Sequence, residues 1–157
     1  MRIHELDFVG LYKNPIFLSG LTSLIMAQLI KTIITLFRTR KAVAKDALFV
    51  FFWRTGGMPS SHSATAVSIC AAIAFTEGFN DVFILSLFVM LITIRDALGV
   101  RRAAGLQAKA LNRLGGELAE QRLVTYEPVK EVHGHTLAEV MVGSLLGLGI
   151  ALFFCAR

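Results

Sequence analysis

Two histidines lie in patterns that suit nucleophilic and acid–base chemistry. His135 and Glu139 are four residues apart, so on a helix they share one face. The Glu139 carboxylate could then accept a hydrogen bond from one ring nitrogen of His135 and leave the other nitrogen free as a nucleophile. His62 follows Ser60 and Ser61 in the string GGMPSSHS, where its ring could donate a proton to a leaving group.

The string GGMPSSHS also predicts an anion site at the start of a helix. The two glycines allow close backbone approach, and Pro59 stiffens the turn. Ser60, Ser61 or both could cap a helix that begins near His62, and free N–H groups at a helix N-terminus bind anions. The alternative is an ordinary capped helix start with an incidental histidine.

Four cations lie close to these patterns or at the ends of apolar runs. Lys31 and Arg38 are seven residues apart, so they share one helix face about 10 Å apart along the axis and could hold different oxygens of one phosphate group. A lysine inside an apolar run indicates function, although Lys31 could also snorkel to the interface. In the string DALGVRRAAG, Arg101 is a candidate phosphate ligand, whereas Arg102 fits a membrane anchor better.

The composition indicates a membrane protein. The 157 residues are 55% hydrophobic with a mean hydropathy of +0.64, and 17% are charged, which is below the roughly 25% typical of soluble domains. We expect a single membrane-embedded domain over residues 1–157. The net charge of +5 fits anionic lipid and cytoplasmic loops, and no nucleic-acid-binding motif is present. Cys70 and Cys155 lie in apolar runs without disulfide or zinc spacing, and we expect no metal or other cofactor.

The apolar runs predict an all-α, polytopic helical membrane protein. The runs that could span a bilayer cover residues 16–37, 64–75, 82–94 and 135–154. Residues 43–54 would reach about 18 Å as a helix, too short for a core of about 30 Å. The prediction is therefore about four full spans, a short re-entrant or interfacial helix at 47–53, and an amphipathic polar segment over 106–131 outside the membrane.

This topology would bring the polar residues to one face of the bilayer. If the spans alternate in direction and 47–53 does not cross, both termini lie on the opposite face. Most lysines and arginines then lie on the face that carries the polar residues, which predicts that this face is cytoplasmic and that the chain is a multi-pass protein of the cell (inner) membrane.

The motifs resemble those of the phosphatidic acid phosphatase type 2 superfamily, which includes the vanadium haloperoxidases, and in particular its small divergent bacterial and plant branch. That superfamily has a lysine and an arginine separated by six residues, then PSGH, then an arginine followed by a histidine and, four residues later, an aspartate. The matching residues are Lys31 and Arg38, then Pro59, Ser60, Ser61 and His62, and then Arg101, His135 and Glu139. The resemblance extends from about residue 28 to residue 147.

Four departures accompany the resemblance. Thr39 stands where proline follows the first arginine, Ser61 replaces glycine, and Glu139 replaces aspartate but keeps the carboxylate. The largest departure is the long separation of Arg101 from His135, which the main family keeps to a few residues. The inserted polar segment would have to bring Arg101 back to the site, unless Arg102 takes its place.

The resemblance implies a metal-independent phosphatase that acts on a lipid phosphate or an isoprenoid diphosphate through a phosphohistidine. His135 would be the nucleophile, Glu139 would orient it, and His62 would be the general acid and then the base. The residues that would hold the phosphoryl oxygens are Lys31, Arg38, Ser60, Ser61 and Arg101. The alternative is a non-catalytic membrane protein that binds or transports an anionic lipid or phosphate, and a structural membrane subunit is a third reading. Formation of a homo-oligomer is left open.

Overall fold

The computed structural model describes residues 8–39, 57–131 and 134–156. The side chains of residues 8, 9, 38 and 39 lie outside this description. The predicted re-entrant or interfacial helix at 47–53 and the basic stretch before it also lie outside the described residues.

The described residues form six helices and no strand. Their bounds are α1 Phe8–Lys13, α2 Pro15–Thr39, α3 Ser61–Glu77, α4 Asp81–Leu98, α5 Val100–Glu120 and α6 Leu137–Cys155. The prediction of an all-α, polytopic helical membrane protein is thus confirmed. Each predicted apolar run lies within one helix or overlaps most of it. The predicted polar segment at 106–131 consists of most of α5 and the non-helical residues 121–131 that follow it.

Three stretches of the described chain are long and apolar enough to cross a bilayer. They are Pro15–Phe37, Asp81–Glu120 and Leu137–Cys155. The apolar part of the second stretch is α4, since α5 carries most of its charges. Helix α3 has 17 residues and reaches about 26 Å, close to the thickness of the apolar core.

Local capping signals set where these helices begin. The Asn14 side chain accepts hydrogen bonds from the backbone N–H groups of Ile16 (2.8 Å) and Phe17 (3.1 Å), and Pro15 occupies the first position of α2, where it needs no donor. Asn80 caps α4 in the same way by accepting from the N–H of Phe83 at 2.9 Å. These caps fix the start of each helix to within a residue.

Helix α3 lies at the centre of the bundle and packs against α6, α2 and α4. Its contact with α6 is a backbone contact, because Gly143 lies against the backbone of Ser60 and Gly147 against that of Ala64. A Cβ atom at Gly147 would collide with the Ala64 carbonyl oxygen and lie 2.9 Å from its carbonyl carbon. The GxxxG spacing therefore permits a close crossing of α3 and α6.

Helix α5 extends from the end of α4 with a break at Gly99. The Gly99 N–H donates to the Arg95 carbonyl at 2.9 Å, and the Ala103 N–H donates to the Gly99 carbonyl at 2.9 Å. Among the described helices α5 contacts α4 alone. The next residues return along α5, where the Asn112 side chain bonds the backbone of Val129 in both directions at 2.9 Å.

We predict that Gly147→Ala destabilises the fold. The new Cβ meets backbone atoms of α3 that cannot move without separating the two helices, and such overpacking costs about 1–3 kcal/mol. Gly149→Ala on the same helix is the matched control, because nothing lies within 4 Å of its Cβ position. Thermal unfolding in detergent should show a lower midpoint for Gly147→Ala and no loss for Gly149→Ala. Equal midpoints would contradict the close crossing.

Candidate active site

The N-terminus of α3 is built by a buried serine cap. The Ser60 hydroxyl accepts from the Ser63 backbone N–H at 3.4 Å and from the Ser63 hydroxyl at 3.0 Å. Ser60, Ser61 and Ser63 are all buried, as is Pro59, which follows a cis peptide bond. Gly57 has a φ of +89°, a conformation that suits glycine. The turn thus directs the first backbone N–H groups of α3 toward one end of the bundle.

A capping box at the start of α6 holds His135. The Glu139 backbone N–H donates to the Thr136 hydroxyl at 3.3 Å, and the Glu139 carboxylate accepts from the Thr136 backbone N–H at 3.2 Å. The same carboxylate oxygen lies 2.9 Å from Nδ1 of His135. Because a carboxylate is an acceptor, Nδ1 carries a proton in this contact, and in the neutral ring Nε2 then has a free lone pair.

The two helix starts are joined directly. The Ser60 backbone N–H donates to the Glu139 carbonyl at 3.0 Å, so the first turns of α3 and α6 lie side by side. The rings of His62 and His135 are 6.5 Å apart between centroids, with 61° between their planes. His135 is 4% exposed, whereas His62 faces solvent. One histidine is therefore held rigidly and the other is accessible.

The loop before α6 docks on the joint between α4 and α5. The His135 backbone N–H donates to the Ala97 carbonyl at 3.1 Å, and Gly134 lies directly against the backbone of Arg102. This docking closes the long sequence separation between Arg101 and His135. Because Ala97 follows Asp96 in the chain, the same contact brings the ion pair of Asp96 and Arg101 to the end of the bundle that carries His135.

Two of the predicted cations are described in detail. Lys31 is 3% exposed, and its side chain passes the turn at Gly57, whose Cβ position is 3.8 Å from the lysine Cγ. Arg101 donates from Nε to the Asp96 carboxylate at 2.7 Å, and both side chains are about two-fifths exposed. The remaining guanidinium nitrogens of Arg101 leave room for a second anionic partner. The side chain of Arg38 lies outside the described residues.

The structure adds two contacts to the predicted site and decides one open alternative. Asp96 pairs with Arg101, and Gly134 lies against the backbone of Arg102; neither contact follows from the motifs. Of the two serines that could cap α3, Ser60 is the cap, and its hydroxyl also accepts from the hydroxyl of Ser63. No cluster of three or more metal-ligating side chains occurs within the described ranges.

The fold and this arrangement define a polytopic helical membrane protein with histidines and cations at one end of its bundle. The chain belongs to the Divergent PAP2 family, whose family model matches residues 12–150. A protein of Bacillus subtilis (strain 168), described as the uncharacterized membrane protein YuiD, is 35% identical over 152 residues, which cover 86% of this chain and 90% of that protein. No solved structure matches the chain. The resemblance noted in the motifs is thereby confirmed at the level of the family.

We predict that Gly134→Ala loosens the site. The added Cβ would overlap the backbone of Arg102, so the loop must move away from α5, at a cost of about 1–3 kcal/mol. Gly116→Ala in α5 is the control, because its Cβ position meets nothing within 4 Å. A lower thermal midpoint for Gly134→Ala than for Gly116→Ala is expected in detergent. No difference would mean that the loop does not rest on α5.

Proposed function

We propose that this protein is a membrane phosphatase that hydrolyses a lipid phosphate or an isoprenoid diphosphate through a phosphohistidine at His135. The observation that carries the proposal is the contact of His135 Nδ1 with Glu139, beside the ring of His62. Anion binding alone needs cations, whereas turnover also needs a nucleophile and a proton donor. The site combines these features with Lys31 and Arg101.

The first chemical step transfers the phosphoryl group to His135. The Nε2 lone pair attacks phosphorus, the bond from phosphorus to the leaving oxygen breaks, and His62 in its protonated form donates a proton to that oxygen. The Nδ1–H bond to Glu139 stabilises the positive charge that develops on the His135 ring. Lys31 and Arg101 neutralise the phosphoryl oxygens, and positioning and charge neutralisation supply most of the catalysis in phosphoryl transfer.

The second step releases phosphate. Neutral His62 takes a proton from water, the water oxygen attacks phosphorus, and the bond from phosphorus to Nε2 breaks. His62 is again protonated and His135 is restored with its proton on Nδ1. Exposure of His62 to solvent suits this step, because the ring must meet water.

The family motifs add three residues to Lys31 and Arg101 as candidates for binding the phosphoryl group: Arg38, Ser60 and Ser61. Arg38 lies two turns beyond Lys31 on α2, and by the family motif it binds the same phosphoryl group. Ser61 follows the cap and belongs to the first turn of α3, whose N–H groups favour an anion. Ser60 would act mainly by holding this turn, since its hydroxyl is engaged with Ser63.

The setting of the site favours a substrate anchored in the membrane. The site lies at the ends of helices whose outer surfaces are apolar and exposed, so a lipid phosphate can approach from the bilayer. Cations following α4 are concentrated at this end, and by the positive-inside rule this asymmetry supports a cytoplasmic location of the site in the proposal.

The test measures phosphate release from phosphatidic acid and farnesyl diphosphate by the purified protein in detergent, with chelator present. His135→Ala should abolish release, and His62→Ala should lower kcat by about 10²–10⁴-fold, the usual contribution of general acid–base catalysis. His133→Ala is the matched histidine control and should retain activity. Release that survives in His135→Ala would exclude this nucleophile. No release by the wild type, with phosphate binding retained, would favour a non-catalytic anion-binding protein.

A second prediction concerns the Asp96 carboxylate, which holds Arg101 through Nε. Asp96→Asn should lower kcat/KM by about tenfold, because loss of a charged hydrogen bond at a partly exposed pair costs about 1.4 kcal/mol. Asp81→Asn, at the other end of the same helix, should leave kcat/KM unchanged. Restored activity in Asp96→Glu would support positioning by the carboxylate. An unchanged kcat/KM in Asp96→Asn would remove Asp96 from the site.

A further inference from the structure

One face of α5 exposes leucines that nothing in the described structure covers. Leu111, Leu114 and Leu118 follow at spacings of three and four residues, so they share one helix face. Leu111 and Leu114 are 50% and 54% exposed, respectively. A stripe of half-exposed leucines on a helix outside the bundle marks a candidate contact surface.

The opposite face of α5 is basic. Arg102, Lys109 and Arg113 follow at spacings of seven and four residues and are all exposed. Arg113 pairs with Glu117 at 2.9 Å. The whole helix carries four cations and two carboxylates, so it has a net positive charge. This combination of an apolar stripe and a basic face is typical of helices that bind membrane surfaces.

The attachment of α5 places it beside the bilayer. The helix begins one residue after α4, whose apolar part is long enough to span, and Arg101 in its first turn belongs to the candidate site. The break at Gly99 separates the two helices. Residues 121–131, which follow α5, rest on another side of this helix. There the Tyr126 ring lies against Gly115, and the Tyr126 hydroxyl donates to the Asn112 side chain. The described part of the chain therefore leaves the leucine stripe uncovered.

We propose that α5 lies on the headgroup layer of an anionic leaflet, with Leu111 and Leu114 inserted toward the acyl chains. Two observations select this occupant over a second copy of the chain. The helix begins directly after a helix that is long and apolar enough to span a bilayer, and its net positive charge attracts an anionic leaflet but repels a second α5. The cations lie about one helix diameter from the leaflet, which is close to the Debye length of about 8–10 Å, so they still feel its negative potential.

The experiment uses the full-length protein with Cys70 and Cys155 replaced by alanine. Leu114→Cys and the control Lys109→Cys are each labelled with an environment-sensitive fluorophore in detergent and then reconstituted into vesicles that contain phosphatidylglycerol. Nitroxide-labelled lipid should quench the label at 114 at least about twofold more than the label at 109, because the apolar face of an interfacial helix lies about 5–10 Å inside the boundary. Aqueous iodide should show the reverse order.

Two outcomes would overturn the proposal. Equal quenching by lipid at both positions would mean that α5 extends into water. Protection at 114 from both quenchers, together with disulfide-linked dimers of Leu114→Cys, would identify a second copy of the chain as the partner. Leu111→Cys is the second variant if Leu114→Cys does not elute as a folded protein, and the same quenching order is expected for it.

Discussion

The backbone contact between α3 and α6 is the constraint on which the rest of the structure depends. Gly143 and Gly147 bring the α6 backbone against Ser60 and Ala64 without a side chain between them. In a bilayer, apolar side chains gain little by leaving lipid for one another, so close packing and hydrogen bonds supply much of the association. The hydrogen bond from the Ser60 N–H to the Glu139 carbonyl then fixes the register of the two helix starts.

This register explains why the two histidines meet. His62 lies two residues after the Ser60 cap, and His135 lies just before the Thr136 cap, so alignment of the caps aligns the rings. A shift of one turn along the helix axis would move one ring by about 5.4 Å and separate the pair. Helix packing thus determines the geometry of the candidate site, although neither glycine belongs to it.

The joint between α4 and α5 is the second determinant of the site. Arg101 follows the break at Gly99 and pairs with Asp96 before it, and the Ala97 carbonyl accepts the His135 N–H. A single joint therefore positions one cation and the buried histidine together. The bundle interior is built from small residues, among them the fully buried Ser19, Ser23 and Ser68, which allow α2 and α3 to approach closely.

The sequence by itself determined the membrane character, the helical class, the apolar runs and the family, because hydropathy and the PSSH and His–Glu motifs are local signals. The spacing of four residues also predicted the contact between His135 and Glu139, but not its form. His135 precedes the Thr136 cap rather than sharing a helix face with Glu139, and the Glu139 carboxylate reaches back to it from the first turn of α6. Only the tertiary structure decided that Asp96 pairs with Arg101 and that Ser60 rather than Ser61 caps α3. It also brought the segment that carries Arg101 back to His135, although 33 residues separate the two in the sequence. These facts depend on the docking of Gly134 on α5 and of α6 on α3, and contacts between distant segments leave no periodic signal in a single sequence.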